Sequence, residues 1–376
     1  MASIYIHIPY CKQACTYCNF HFRISQNNKS DMIKCIIKEI ETRVAYLNNK
    51  TISSIYFGGG TPSMLNKKEL KRILNTIYAN FTVTKDIEIT LECNPDDLNR
   101  NKLVDLKTAG INRLSIGVQS FNDTDLEFMN RSHNSKEALY CINLAKKVGF
   151  ENITIDLIYG LPNQNNEKWK KNLKQILTLD INHFSAYALT IEPKTILKHL
   201  IDTKKITPLE DEIIIEHFNT LVEFSYNNSF IHYEISSFGK EGFFSNHNSG
   251  YWKNQHYIGI GPSAHSFNGD SRQWNISSNK QYIKKITGDN SCFEIEKLNN
   301  EQLYNEYIFT SLRTVWGIKL DYIKTQFGQD AQQYFKRQIQ NWIDQEKIKQ
   351  EKNQFTLTKQ GKLYADAISS DLFIVD

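Results

Sequence analysis

Three cysteines stand close together near the amino terminus, within HIPYCKQACTYCNF at residues 7–20. Cys11, Cys15 and Cys18 form a C-x3-C-x2-C pattern that directly follows a predicted strand. The other four of the seven cysteines are scattered, and an odd total of this kind is not typical of a disulfide framework. The cluster therefore indicates a metal or redox site.

Several kinds of site use clustered thiols. A zinc scaffold needs four ligands, and no second C-x2-C pair follows, although His7 and His21 flank the loop and would complete a tetrahedron. A c-type haem attachment would need histidine where Asn19 stands, and a thioredoxin-like pair leaves Cys11 without a role. A [4Fe–4S] cluster uses all three thiols and leaves its fourth iron open for an exogenous ligand.

Alternating strands and helices must position this loop. The hydrophobic pattern predicts six strands, at 3–8, 53–57, 86–92, 113–118, 152–158 and 183–189. Amphipathic helices are predicted between them, including 31–47, 66–79 and one that ends at Ala109, where Gly110 suits the C-cap. Six β-α units in order predict an α/β fold with a parallel sheet, either open or barrel-like.

Polar residues or glycines stand near the carboxyl end of each predicted strand. After the cysteine loop come the glycine turn at 58–62, Glu92, Gln119, Asp156 and Tyr187. Because the carboxyl ends of parallel strands share one face, where ligands bind, we expect these six elements to line one pocket.

Length and charge limit the domain organisation and the kinds of partner that the sequence allows. The chain has 376 residues, which suggests one large α/β domain with a smaller appendage. Its 45 basic and 41 acidic residues give a net charge of +4, which favours no nucleic-acid partner. The sequence has neither a long apolar stretch nor a signal peptide, so we expect a cytoplasmic protein without a membrane span.

The sequence changes character after residue 290. Helices are predicted at 301–312, 320–327 and 330–345, followed by a strand and a final helix from Lys359, in a winged-helix-like order. Acidic and basic residues alternate there, so we expect no DNA-binding surface. The predicted division is a core at 1–230, an accessory segment at 231–298 and a C-terminal domain at 299–376.

Several motifs carry a resemblance to a known family. YIHIPYC, YFGGGTPS, ECNPDD, INRLSIGVQSF, IDLIYGLP, LTIEPKT and HNSGYW follow one another between residues 5 and 252. Together they resemble the radical S-adenosylmethionine (SAM) superfamily, within it the family of oxygen-independent coproporphyrinogen III oxidases and HemW haem chaperones. The resemblance implies a partial (β/α)6 barrel with a [4Fe–4S] cluster on the three cysteines. It also implies SAM at the open iron, where reduction yields a 5′-deoxyadenosyl radical.

The resemblance also implies a set of SAM contacts. A glycine turn lets the backbone approach the methionine part of the cofactor, a carboxylate binds its ammonium group or ribose hydroxyls, and a guanidinium pairs with its carboxylate. The matching positions are Tyr5, Gly59, Gly60, Thr61, Glu92, Gln119, Arg131 and Asp156.

Two departures place the chain within the family. The oxidases carry a fourth cysteine where this chain has Phe20, and they have an extension before the first strand. Both differences favour the haem-chaperone branch. HNSGYW also matches the H-N-x-x-Y-W motif of that branch, which is associated there with haem binding.

The residues of this motif suit a porphyrin. We expect His247 to ligate the haem iron, and Tyr251 and Trp252 to pack flat against the ring. The alternative iron ligands are His133, His256 and His265.

The resulting hypothesis is a haem chaperone that passes haem to an unidentified acceptor protein. One alternative is a coproporphyrinogen III oxidase, which decarboxylates propionates by radical chemistry, and another is a zinc-stabilised scaffold. Whether the protein turns over a substrate as an enzyme, and whether it forms a homodimer, both stay open.

Overall fold

The computed structural model describes residues 1–375. Its central strands are β1 (Ala2–Ile8), β2 (Thr51–Gly59), β3 (Thr82–Cys93), β4 (Arg113–Gln119), β5 (Asn152–Tyr159) and β6 (His183–Ala188). The helices among them are α1 (Lys29–Thr42), α2 (Lys67–Asn80), α3 (Arg100–Ala109), α4 (Asp123–Phe128), α5 (Ser135–Val148) and α6 (Asn166–Thr178). The six predicted strands are all present and pair in chain order as parallel neighbours, which confirms the α/β prediction.

Later elements extend this sheet at both edges. They are α7 (Ile196–Asp202), α8 (Asp211–Asn227), β7 (Ile231–Glu234), β8 (Ser237–Gly239), α9 (Asn246–Trp252), β9 (Tyr257–Ile260), β10 (His265–Phe267), β11 (Ser271–Asn275), α10 (Asn279–Thr287) and β12 (Phe293–Lys297). The strand order is β12-β11-β10-β9-β1-β2-β3-β4-β5-β6-β8-β7. Since β12 and β7 end the sheet of twelve strands without pairing with each other in the part described, the barrel is partial.

Alternation in the central strands, interrupted by irregularities in β2 and β4, separates an apolar face from a polar one. On β1, Ile4, Ile6 and Ile8 are buried in the core under α1, whereas Tyr5 and His7 point the other way. The polar face of the other strands carries Ser54, Tyr56, Glu88, Thr90, Glu92, Arg113, Ser115, Thr154, Asp156, His183, Ser185 and Tyr187. The barrel interior is therefore a polar lumen, and the helices cover the apolar face.

Some helix ends follow local sequence signals, and others do not. Gly110 ends α3 at a φ of 110°, as predicted. The predicted helix at 31–47 is wrong at its end, because α1 stops at Thr42 and a short 3-10 turn follows at Val44–Tyr46. Arg43 leaves helical geometry there, and its guanidinium binds Glu39, Gln273 and Asn275.

That buried ion pair attaches the accessory strands to the core. Glu39 and Arg43 lie 2.6 Å apart, and Glu39 also accepts hydrogen bonds from Tyr282 and from the backbone of Gly261. Because buried charges need such partners, this network fixes β9 to β12 beside β1. These strands form one wall of the site described below.

The last part of the chain has a hydrophobic core of its own, around Ile308, Phe335 and Phe355. Its elements are α11 (Asn300–Leu312), β13 (Ile318–Lys319), α12 (Leu320–Asp344), β14 (Ile348–Glu351), β15 (Gln354–Leu357) and α13 (Ala365–Leu372). The three strands form an antiparallel sheet, and α12 bends at Gly328, which separates the two helices predicted there. The predicted final helix starts later than Lys359, after a 3-10 turn at Gly361–Tyr364.

This C-terminal part contacts the barrel at several points. The Val315 amide donates to the Tyr233 carbonyl at 3.0 Å, and the Lys253 ammonium lies 3.7 Å from the centre of the Trp316 ring. Within residues 1–375, no helix combines the length and apolar character needed to cross a bilayer.

Candidate functional site

The cysteine loop lies at the carboxyl end of β1 and is fixed by backbone hydrogen bonds. The Cys11 amide donates to Arg23, and the Arg23 amide donates to Pro9, so the two ends of the loop close on each other. Further along, the Thr16 amide donates to the carbonyl of Met129, beyond β4. All three thiols of the loop are partly exposed and free.

The thiols have the chemistry that an iron–sulfur cluster needs. Burial raises the pKa of the Cys11 thiol to about 11, so a thiolate here requires positive charge beside it. Arg131 supplies some of that charge, since its Nη1 lies 3.3 Å from the Cys15 sulfur. A positively charged multi-iron group that binds three thiolates suits this donor set.

The zinc alternative gains no support from the side chains around the loop. The ring of His7 is already engaged, with Nδ1 3.1 Å from the Tyr5 hydroxyl and Nε2 2.9 Å from the carbonyl of His21. His21 in turn contacts Asn279 at 2.7 Å. Among residues 1–375, no three His, Cys, Asp or Glu side chains converge on one metal ion.

The glycine turn packs directly against the start of the cysteine loop. Gly59 has a φ of 107°, and a Cβ atom there would lie 2.5 Å from the His7 ring. A Cβ atom on Gly60 would lie 2.5 Å from the Tyr10 carbonyl oxygen. These two glycines are therefore required by the close approach of two loops, and Thr61 beside them is buried. Their contact with SAM stays a prediction.

Two carboxyl groups face the lumen near this turn. Glu92 accepts hydrogen bonds from the Tyr56 hydroxyl at 2.9 Å and the Gly59 amide at 3.1 Å, both neutral donors. Burial raises the pKa of Glu92 to about 8 and that of Asp156 to about 6. A cationic ligand such as an ammonium group would stabilise their ionised forms.

Gln119 and Arg131 complete the rim of the lumen. Gln119 ends β4 with a φ of 65°, a left-handed backbone conformation that is uncommon outside glycine. Arg131 donates through Nη2 to the Asn94 side chain and to the Gly117 carbonyl, both at 2.8 Å. It thus joins the ends of β3 and β4 to the cysteine loop.

A cleft of about 620 Å³ begins at the lumen and extends outward. Its lining includes three of the predicted SAM residues, Tyr5, Gly59 and Glu92. Its lining also includes five aromatic side chains, Phe20, Tyr251, Trp252, Tyr257 and Phe267, beside polar ones such as Asn19, Asn254 and Gln255. A volume of this size and an apolar wall with few charges are typical of small-molecule sites.

His247 lies behind this wall and not in the cleft. Only 1% of its surface is exposed; Nδ1 lies 3.0 Å from the Ser54 hydroxyl and Nε2 lies 2.8 Å from the Tyr251 hydroxyl. In this structure, neither nitrogen is free to bind iron. Tyr251 and Trp252 do line the cleft, as their predicted role requires.

The alternative histidines differ in access to the cleft. His133 is buried, and its Nε2 contacts the Val118 carbonyl at 3.0 Å. His256 packs beside Gly269 and Phe267. His265, at the start of β10, is exposed and lines the cleft.

The sequence did not single out three residues that the structure places at this site. Glu88 accepts the backbone N–H groups of Asn246 and His247 at 3.0 and 3.1 Å, which fixes the start of α9. Ser54 holds His247, and Arg272 lines the outer cleft. Glu88 and Ser54 lie on the polar faces of β3 and β2, so alternation in those strands was the available signal.

A second groove, of about 680 Å³, lies between α6 and α8. Its lining is mainly polar and charged, with Asn166, Lys170, Glu212 and Glu216 among its residues. None of the predicted site residues lines it.

Comparison with known proteins identifies the family. The model of the Radical SAM superfamily matches residues 5–176, and that of the HemN C-terminal domain matches 298–364. The chain is 32% identical over 371 residues to heme chaperone HemW from Bacillus subtilis, covering 98% of each chain. The chain belongs to the HemW family. It is also 35% identical to heme chaperone HemW from Escherichia coli over 265 residues, covering 70% of this chain and 69% of that one.

A solved structure shows the same fold as this HemW-family chain. Coproporphyrinogen III oxidase (HemN) from Escherichia coli, described as a radical SAM enzyme, superposes with a TM-score of 0.85 at 22% identity. The match covers 99% of this chain and 89% of that one. The radical SAM fold implies a [4Fe–4S] cluster and SAM as cofactors of the HemW-family chain.

Proposed function

We propose that this HemW-family protein is a haem chaperone, which binds haem in the aromatic cleft and transfers it to an acceptor protein. The observation that carries this proposal is the continuity between the lumen and the cleft. Tyr5, Gly59 and Glu92 line the inner end, while Tyr251 and Trp252 form a wall further out. Flat aromatic faces of this kind pack well against a porphyrin.

The same geometry supports assignments for the cofactors. Cys11, Cys15 and Cys18 would hold the cluster, with Arg131 beside Cys15 offsetting thiolate charge. The cluster and SAM together supply one-electron chemistry when bound. Glu92 and Asp156 offer carboxylates to the ammonium and ribose groups of SAM, and Tyr5, Gly59, Gly60, Thr61, Gln119 and Arg131 complete the proposed contacts.

Phe20 favours the chaperone over the oxidase. It stands where the oxidases carry their fourth cysteine, it is 68% exposed, and it lines the cleft. An exposed phenylalanine at this point adds apolar surface for a flat ligand and provides no thiolate. The likeness to the solved oxidase concerns the fold alone, so it adds no support for decarboxylation.

His265 is the strongest candidate for an axial iron ligand. It is the histidine of the predicted set that combines exposure with a place on the cleft lining. Partial desolvation at the cleft wall and the nearby guanidinium of Arg272 lower the pKa of His265, which keeps its imidazole neutral and able to ligate iron. His247 instead orients Tyr251 from behind.

The proposal is tested by loading and by turnover under anaerobic conditions. The reconstituted protein is incubated with haem, passed through gel filtration and assayed for haem as the pyridine haemochrome. We expect about one haem per chain to co-elute. In parallel, the protein is incubated with coproporphyrinogen III, SAM and reductant, where we expect no protoporphyrinogen. Product formation without stable haem loading would overturn the proposal in favour of the oxidase.

A further inference from the structure

Formal charge is sparse on the cleft lining and lies at opposite ends. Apart from histidines, the charged side chains that line it in the described chain are Glu92, at the lumen, and Arg272, at the outer end. The aromatic residues Tyr251, Trp252 and Tyr257 also line the cleft, with Tyr251 near Glu92 and Tyr257 beside Arg272. A ligand with a flat apolar body and carboxylates along one edge matches this distribution, with its acidic edge beside Arg272.

Arg272 is held in place by aromatic and acidic neighbours. Its guanidinium carbon lies 5.3 Å from the centre of the Phe267 ring, and Tyr257 lies beside it. Its Nε forms an ion pair with Oε1 of Glu306, which belongs to α11 of the C-terminal part. Arg272 keeps 33% of its side-chain surface exposed and lines the cleft.

Within residues 1–375, only one carboxylate oxygen of Glu306 has a hydrogen-bond partner. Its Oε1 binds Arg272, whereas its Oε2 is buried without a hydrogen-bond partner in the part of the chain that the structure describes. Burial of an unpartnered carboxylate oxygen is unfavourable. A ligand carboxylate that replaced Glu306 would present both of its oxygens to the guanidinium fork, which suits bidentate pairing.

We propose that Arg272 binds the propionate carboxylates of the tetrapyrrole, and that Glu306 occupies this guanidinium when no ligand is bound. The inference rests on the proposed function and assigns the orientation of the ligand in the cleft. The propionate edge lies at β11 and α11, and the opposite edge points toward the lumen. Glu306 then competes with the ligand for Arg272.

The test compares haem with its dimethyl ester, in which both propionates are masked. Each is titrated anaerobically into wild type, Arg272→Gln and Glu306→Gln, with Arg337→Gln, a distant substitution in α12, as the matched control. We expect Arg272→Gln to weaken haem binding about tenfold, the typical effect of losing a charge-assisted hydrogen bond. The ester is expected to bind wild type and Arg272→Gln equally, and Glu306→Gln is expected to bind haem more tightly than wild type.

The outcomes separate this inference from the proposed function. If wild type binds haem and Arg272→Gln binds it equally well, the propionate site is wrong while the chaperone function stands. If wild type binds neither haem nor ester, the proposed function itself fails. Should Arg272→Gln not fold, Glu306→Gln decides, because unchanged haem affinity in that variant contradicts the competition.

A further arm distinguishes two sources of propionate. Coproporphyrin III carries more propionates than haem and is titrated into the same proteins. Tighter binding of haem that Arg272→Gln weakens supports the chaperone and its propionate site together. Preference for coproporphyrin III that depends on Arg272 would keep the anion site and overturn its assignment to haem.

Discussion

The Nε2 atom of His247 lies 2.8 Å from the hydroxyl oxygen of Tyr251, one helical turn later in α9. The other ring nitrogen contacts Ser54 on β2, so the imidazole bridges the sheet and the cleft wall. This arrangement divides the H-N-x-x-Y-W motif into a buried part, His247, that orients Tyr251, and a part, Tyr251 and Trp252, that lines the cleft. The arrangement bears on which histidine ligates the iron, on how α9 begins and on where Tyr251 lies in the cleft wall.

The axial ligand is expected to be His265. His265→Ala should alter the Soret maximum and the electron paramagnetic resonance spectrum of the bound haem, because the imidazole leaves the iron. His256→Ala is the matched control, since that residue packs behind Phe267. A changed spectrum in His247→Ala together with an unchanged one in His265→Ala would show that His247 ligates the iron after all.

Loss of His247 is expected to act mainly on stability and on the position of Tyr251. His247→Ala removes two buried hydrogen bonds and a ring stacked on Tyr56, which should lower the free energy of unfolding by about 2–4 kcal/mol. Thermal unfolding followed by circular dichroism measures this loss. A melting temperature equal to that of wild type would contradict the bridging role.

Glu88 is expected to stabilise the start of α9. Its carboxylate accepts two backbone N–H groups, so Glu88→Ala leaves buried donors unsatisfied and should cost about 1–3 kcal/mol. Glu223→Ala, on the exposed surface of α8, is the matched control and should change little. Equal unfolding midpoints in urea for the two variants would show that the cap is dispensable.

The Glu92 carboxyl is expected to lower the free energy of unfolding at neutral and alkaline pH when SAM is absent. The same carboxylate is expected to contribute to SAM binding. Its pKa in the folded chain is about 8, whereas a glutamate in an unfolded chain has a pKa of about 4.3. Between these pH values the folded state holds a proton that the unfolded chain has released, so stability falls as pH rises. Glu92→Gln should therefore unfold at a higher temperature at pH 8 without SAM, and bind SAM at least about tenfold more weakly.

The control for this prediction is acid pH. Near pH 4 the wild-type carboxyl is protonated in the folded state and mostly protonated in the unfolded state, so the two proteins should unfold at similar temperatures. If Glu92→Gln were less stable than wild type at pH 8, the carboxylate would be stabilised by groups other than its neutral donors. Anaerobic isothermal titration calorimetry with SAM measures the affinities of wild type and Glu92→Gln for the cofactor.

Gly60 is expected to tolerate no side chain. In Gly60→Ala the new Cβ would meet the Tyr10 carbonyl oxygen at 2.5 Å and its amide at 2.8 Å, so the cysteine loop has to move. We expect a lower melting temperature and fewer irons per chain after reconstitution. Gly242→Ala is the control, because nothing lies within 4 Å of its Cβ and only the backbone strain of a left-handed residue, about 1–2 kcal/mol, is added. Full iron loading of Gly60→Ala would contradict the close contact between the loops.

Much of the fold was predictable because its signals are local. Ile4, Ile6 and Ile8 alternate with polar residues, and this pattern identifies β1 without knowledge of its neighbours. The end of α1 was not predictable, since the Arg43 guanidinium departs toward Gln273 and Asn275, more than two hundred residues along the chain. A tertiary contact at that distance overrides the helical pattern of Val44 and Leu47.

In the candidate site, too, residues with local sequence signals were predictable and residues placed by tertiary contacts were not. The cysteine spacing and the strand-end residues are local features, and the structure brings Tyr5, Gly59 and Glu92 to one cleft. The place of His247 was not predictable, because whether an imidazole in HNSGYW faces ligand or core depends on Ser54 from a distant strand. No sequence pattern indicated that Arg272 belongs to the site, because its partner Glu306 lies on α11, which packs in the separate C-terminal core.

The central claim is that haem binds against the aromatic wall beside the cysteine loop. The most direct measurement is an anaerobic haem titration of the reconstituted protein, followed by visible absorbance, with Trp252→Leu beside Tyr226→Leu. Trp252 lines the cleft, whereas Tyr226 is 85% exposed on α8. We predict a saturable Soret shift in wild type and Tyr226→Leu, and affinity weaker by about tenfold or more in Trp252→Leu. Equal affinity in all three proteins would contradict the claim and place haem elsewhere on the molecule.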